Sequence, residues 1–256
     1  MAGDRILECR WPDLLPPYDA ALRDAISYAF EASEPIGIIA TGTIIRGAPH
    51  ASSDLDIYVI HRAAIRRRIQ RFFRGVAAEI FINPPHAVRS YFREENRDAR
   101  LITAHMIATG FVVWQSNTVV DELRVEAEEW LARRSDLSAD EWLRARYGAA
   151  SRFEDGVDMI AVDSASATML LALAVVNMLE IECRMRLGRI PRGKDLLATT
   201  AELDPELGAL AKSFFTASSD DERRQCAESI ADRTVAARGF FEWDSGPEPF
   251  PESETQ

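Results

Sequence analysis

The sequence predicts an α/β domain over residues 1–135 followed by an all-helical bundle over 136–243. Three observations carry this expectation. Every short β-branched or alternating apolar segment lies before residue 116. From Ser138 onward the apolar residues recur only at helical spacing. Apolar residues make up 47% of the 256, enough to bury a proper core and to set disorder aside as the default.

Pro16-Pro17 opens a helix over 17–33, in which Leu22, Ile26 and Phe30 recur every four positions, and Pro35 ends it. Ile36-Gly37-Ile38-Ile39-Ala40-Thr41 is short, apolar and β-branched, the pattern of a buried strand. Gly42-Thr43 breaks that strand, and residues 43–48 are expected to form one or two helical turns before a loop through Pro49 and Ser52-Ser53. From Asp54 to Ile60, Leu55, Ile57 and Val59 alternate with Asp54, Asp56 and Tyr58, the period of a strand. The Arg-rich stretch 62–74 reads as a strand that turns at Arg74-Gly75 into another, Val76 to Ile82. There Ala78, Ile80 and Ile82 face one way, and Ala77, Glu79 and Phe81 the other. Asn83-Pro84-Pro85 stops that strand. Helices at 85–96 and 98–109, a strand Phe111 to Gln115 and a helix at 119–134 complete the first part.

In the second part, helices are predicted at 138–154, 160–187, 193–202, 205–217 and 219–240, separated in places by Pro191, Pro205 and Ser218-Ser219. The most apolar run, Met169 to Leu179, is too short for a membrane span and contains Asn177, so it reads as a core helix. The tail, 244–256, is Pro- and Glu-rich and is predicted to be disordered.

Charge and cysteines narrow the function classes. A formal net charge of −11 argues against a protein whose main work is gripping a nucleic-acid backbone, which calls for a basic surface. It suits a cationic small-molecule partner, or simple solubility. Cys9, Cys183 and Cys226 are scattered without metal-ligand spacing, which fits a reducing, cytoplasmic setting. Residues 1–20 lack the basic start and apolar stretch of a signal peptide.

The chemistry concentrates in one constellation. Asp54 and Asp56 fall two apart on a predicted strand, so their side chains leave one face about 7 Å apart. Glu79 on a neighbouring predicted strand supplies a third carboxylate. Three buried carboxylates repel one another strongly, so their placement on strands implies either a shared cation or that one of the three faces solvent; hard oxygens are what Mg²⁺ prefers. Glycine at the end of the preceding strand lets backbone amides of Gly42-Thr43 approach an anion, and a helix start there adds N–H donors. Thr43 and Ser53 add hydroxyls, and Arg46 is placed to reach a phosphate oxygen.

Gly42-Thr43-Ile44-Ile45-Arg46-Gly47, then Ser53-Asp54-Leu55-Asp56-Ile57, then Ala78-Glu79-Ile80-Phe81 resembles the DNA polymerase β-like nucleotidyltransferase superfamily. That pattern is a strand, Gly-Ser, a short helix, Asp-x-Asp on the next strand and a later acidic residue on a third. The order and flanking hydrophobics match over residues 35–83, with Thr43 where the family usually has Ser. The helical second part is similar to that of the aminoglycoside nucleotidyltransferases.

The resemblance implies an α/β (α+β) catalytic domain with a mixed sheet, and a helical domain that places the acceptor and closes on the nucleotide. It further implies one or two Mg²⁺ ions on Asp54, Asp56 and Glu79. The reaction implied is transfer of a nucleoside monophosphate, AMP from ATP above all, to the hydroxyl of a small molecule such as an aminoglycoside, hence a link to antibiotic resistance. Lys194, one of only two lysines with Lys212, is the candidate triphosphate contact from the helical part. Some relatives place the site between two subunits, so a homodimer is among the arrangements implied.

Competing readings exist for several residues. An adenylylator of a protein partner and an inactive nucleotide-binding scaffold are the alternative functions. Arg62, Arg66, Arg67, Arg68, Arg71 and Arg74 read as the solvated edge of a sheet before they read as a nucleic-acid patch. His105 reads as a buried structural histidine before a cleft residue. Glu154, Asp155, Asp158, Asp163, Glu180 and Glu182, with Glu79 itself, are the candidates for a general base.

Overall fold

The computed structural model describes residues 2–247, in two compact units divided between Arg133 and Arg134. In the first unit the five strands are β1 (Pro35–Thr41), β2 (Leu55–His61), β3 (Arg67–Phe73), β4 (Val76–Asn83) and β5 (Phe111–Gln115), in the order β3-β4-β2-β1-β5. The sheet is mixed: β2 and β4 run parallel, and the other pairs are antiparallel. The helices of this unit are α1 (Ala2–Leu7), α2 (Pro16–Ala32), α3 (Pro85–Arg97), α4 (Ile102–Thr109) and α5 (Val119–Ala132).

Alternation along the strands sorts the apolar residues onto two faces. Leu55, Ile57 and Val59 of β2 with Ala78, Ile80 and Ile82 of β4 form one core, against Leu22, Ile26 and Phe30 of α2. Tyr58 and Ile60 of β2 face the other way, into a core with Val88 and Phe92 of α3, Ile107 of α4 and Leu123 of α5. Because helices cover both faces, β2 is buried along most of its length. Polar residues appear at its leading end, where the helices leave room.

The second unit holds α6 (Ala139–Met159), α7 (Ser164–Leu187), α8 (Leu196–Leu203), α9 (Pro205–Thr216) and α10 (Asp220–Thr234). The starts of four of them are fixed by short polar side chains that take up unpaired backbone N–H groups. Ser138 and Glu141 form a reciprocal capping box on α6, and Asp163, Asp204 and Ser219 cap α7, α9 and α10. By length and composition α7 is the one described helix able to cross a membrane, so the run that looked too short belongs to a longer apolar helix. Leu171, Ala174, Val175, Met178, Leu179 and Cys183 of that helix pack into the core of this unit.

Several predicted boundaries shift for identifiable reasons. The helix expected from 98 begins at Ile102, because Ala99 turns left-handed (φ 55) and the Glu95 carboxylate accepts Thr103 N–H at 2.7 Å. The helix expected to 240 ends at Thr234, where Ala236 is left-handed (φ 49) and Arg146 donates to the carbonyls of Val235 and Ala236. The helix expected from 193 starts as a 3₁₀ turn, Gly193–Asp195, before α8. Residues 241–247 carry no helix or strand, and the rest of the predicted tail lies outside the described residues.

Candidate active site

Asp56 lies in β2 and Glu79 directly opposite it in the parallel β4. Asp54 stands one residue before β2 begins, at the mouth of the Pro49–Ser53 loop, so it is a loop-end residue and not the strand residue the alternation predicted. One carboxylate oxygen from each of Asp54, Asp56 and Glu79 lies within 4.8 Å of the other two. Oxygens bound to a single Mg²⁺ are about 3 Å apart when adjacent and about 4.2 Å when opposite, so the three side chains would draw closer together to share one ion. All three donors are hard anionic oxygens, and the cluster could hold a metal ion.

The electrostatics show the cost of crowding these charges. The Asp56 carboxyl is pushed up to about 6, first by burial, then by the charges of Asp54 and Glu79, with Arg46 and Arg68 opposing. Glu79 moves the other way, held below its ordinary range chiefly by a hydrogen bond from Arg68. Gln70 Nε2 also donates to Glu79 Oε1, at 2.9 Å. On acidification Asp56 therefore takes up a proton before Glu79 does, because burial and like charges raise the one while Arg68 holds the other down. A divalent cation would remove the repulsion that raises Asp56.

The neighbouring turn explains why position 42 is glycine. Gly42 sits at φ 95, and a Cβ there would meet Asp56 Oδ2 at 2.6 Å. Where one or two helical turns are expected over 43–48, the chain closes a single i→i−4 bond and goes on as turns, without a helix. Arg46 N–H bonds to Gly42 C=O and Gly47 N–H to Ile44 C=O, and then Gly47 turns left-handed (φ 75). A run of turns offers amides to an anion but no aligned helix dipole.

Thr43 and Ser53 come from opposite sides of this loop. Their hydroxyl oxygens are 2.8 Å apart, and Ser53 Oγ also accepts His50 N–H at 2.8 Å. Two hydroxyls carry two protons, and their mutual bond uses one. Whichever donates, one O–H of the pair remains for a ligand. Arg46 is exposed and close enough to lower the Asp56 pKa.

The first unit thus brings together Asp54, Asp56, Glu79, Gly42, Thr43, Ser53 and Arg46. Lys194 belongs to the second unit, exposed on the 3₁₀ turn before α8. Among the base candidates, Asp163 is committed to capping α7, where it accepts from Ala165 N–H and Ser166 N–H, and Glu182 pairs with Arg186. His105 corrects its expectation: it is exposed on α4, and the buried histidine is His61 at the end of β2. As expected, β3 is an edge strand with its arginines exposed.

Arg68 and Gln70, which the sequence pattern marks only as part of an exposed strand edge, are the partners of Glu79, and the turn geometry carries the signal. A two-residue turn at Arg74-Gly75 makes Phe73 face Val76, and counting back places Gln70 opposite Glu79, as observed.

No protein-family model and no curated protein matches the chain. Among solved structures, a nucleotidyltransferase-like protein from Exiguobacterium sibiricum 255-15 is similar to it with a TM-score of 0.49 and 15% identity, over 84% of this chain and 73% of that one.

Proposed function

We propose that this chain is a metal-dependent nucleotidyltransferase that moves AMP from ATP to a hydroxyl of a small-molecule acceptor, a cationic aminoglycoside-like compound being the class its net charge of −11 suits. The observation that supports this most is the convergence of Asp54, Asp56 and Glu79 within 4.8 Å, beside a glycine turn that closely approaches Asp56. A divalent cation held by these carboxylates supplies charge neutralisation for the triphosphate and activation of the acceptor oxygen.

The chain's own groups do the rest of the positioning. The Gly42 turn brings backbone close to the carboxylates, the residual hydroxyl proton of Thr43 or Ser53 binds a phosphate oxygen, and Arg46 neutralises another. The acceptor oxygen then bonds to the α-phosphorus as its proton passes to a carboxylate base, for which Glu79 is a candidate, and the bond to the bridging oxygen breaks to release pyrophosphate.

The test is pyrophosphate release with Mg²⁺, ATP and a panel of acceptors that includes aminoglycosides and co-purifying proteins. Turnover should be lost in Asp54→Ala with the fold intact. Undiminished turnover in that variant ends the proposal.

A further inference from the structure

Glu79 is shared between the acidic cluster and the edge of the sheet. Arg68 and Gln70 stand two apart on β3 and so present one face, and both donate to the same oxygen, Glu79 Oε1, Arg68 through Nε and Gln70 through Nε2. The Arg68 guanidinium also lies 5.1 Å from the centre of the Phe81 ring, two residues beyond Glu79 on β4. Its side chain is 63% exposed, whereas that of Glu79 is 12% exposed. An exposed cation is therefore bonded to the most buried of the three carboxylates.

A guanidinium in this position has two opposed effects. It offsets part of the charge that would attract a divalent cation, and it occupies an oxygen that cation could use. That disfavours a bare ion. It also brings further N–H donors beside the cluster, in a fork suited to phosphate oxygens. An anion arriving with the cation gives these donors a new partner as Glu79 is taken over. Gln70 is neutral and has no such dual role.

We propose that Arg68 is a built-in counter-ion that makes this site select a divalent cation complexed to a polyphosphate over the same cation alone. The inference rests on the nucleotidyltransferase reading of the cluster and assigns it a selectivity device.

The test is a calorimetric titration of the full chain with Mn²⁺ alone and, separately, with preformed Mn²⁺–tripolyphosphate. Arg68→Ala should bind bare Mn²⁺ at least about fivefold more tightly than the native protein, and the complex at least about fivefold more weakly, within the usual range of coupling between ligands. Arg68→Lys keeps the charge and should bind bare Mn²⁺ as the native protein does. An Arg68→Ala affinity for bare Mn²⁺ that is unchanged or weaker overturns the proposal, and so does the same gain in Arg68→Lys. Asp56→Asn separates the two levels of the argument. If the native protein binds Mn²⁺ in neither form, or binds it no better than Asp56→Asn, the metal-site reading itself fails. If Mn²⁺ binds through Asp56 and only the Arg68 response is wrong, the counter-ion role alone is lost.

Discussion

Asp56 on β2 and Glu79 on β4 occupy the same rung of a parallel strand pair, yet folding moves their proton affinities in opposite directions, up for Asp56 and down for Glu79. The difference lies in their company: Glu79 has Arg68 and Gln70 as donors, whereas Asp56 is dominated by burial and two like charges.

Stability in a chelating buffer should follow from Asp56. Its pKa rises on folding from an ordinary 3.8 to about 6, so between those values the folded state binds more protons than the unfolded one. The unfavourable contribution of Asp56 should therefore diminish as pH falls from about 6 toward 4, and it applies in full above about 6. The shift corresponds to about 3 kcal/mol at most, and partial exposure of the group reduces the expected penalty to about 1–2 kcal/mol. Denaturant unfolding of Asp56→Asn at pH 7.5, roughly in the middle of the range where the penalty is complete, should show a gain of that size. A loss of stability would contradict the assignment.

Gly42→Ala should fail twice. The backbone at φ 95 strains any L-residue, and the added methyl meets Asp56 Oδ2 at 2.6 Å, so a loss of about 1–3 kcal/mol is expected. Mn²⁺ affinity should drop as well, because the displaced carboxylate belongs to the cluster. Thermal unfolding and Mn²⁺ titration of the same preparation measure both effects.

Thr43→Ser keeps the hydroxyl that pairs with Ser53 and should retain ATP affinity. Thr43→Val preserves the shape and removes the hydroxyl. Because Ser53 would still keep one O–H, Ser53→Ala is added to it; one hydrogen bond is worth about 0.5–1.5 kcal/mol, so ATP binding to the Thr43→Val/Ser53→Ala pair should weaken by roughly two- to tenfold. Equilibrium binding of ATP to the two variants decides the point.

Asp163→Ala should behave as a cap mutation. The carboxylate accepts from Ala165 N–H and Ser166 N–H at the start of α7, so its loss should cost about 1 kcal/mol in denaturant unfolding and leave the nucleotidyl-transfer rate unchanged. A collapse of the rate in a well-folded variant would instead mark Asp163 as a base.

Much of the site was legible because its parts are local. Strand alternation places Asp56, and the strand pattern around Ala78 and Ile80 places Glu79 on the opposite face from the buried pair. Asp54 was misplaced by one residue: its spacing from Asp56 suggests a strand, but pairing starts only at Leu55. The turn after Gly42 was over-read as helix because Ile44 and Ile45 are compatible with one, whereas Gly47 adopts a left-handed conformation that ends it. Arg68 was the larger omission. Its chemistry depends on a partner eleven residues away, and composition makes any arginine in this chain look like surface. Only the register set by the Arg74-Gly75 turn would have exposed it.

The strand order has a dynamic consequence. Asp56 is carried by β2, in the middle of the sheet with β4 and β1 on its flanks, whereas Arg68 and Gln70 are carried by β3 at the margin. Amide hydrogen exchange should therefore be slowest at β2 and faster along β3, since marginal strands fray at lower free energy. Transient peeling of β3 would release Glu79 from its donors while leaving Asp56 anchored on β2. The carboxylate cluster thus joins a rigid half to a yielding half, and the yielding half is the one that holds the counter-ion.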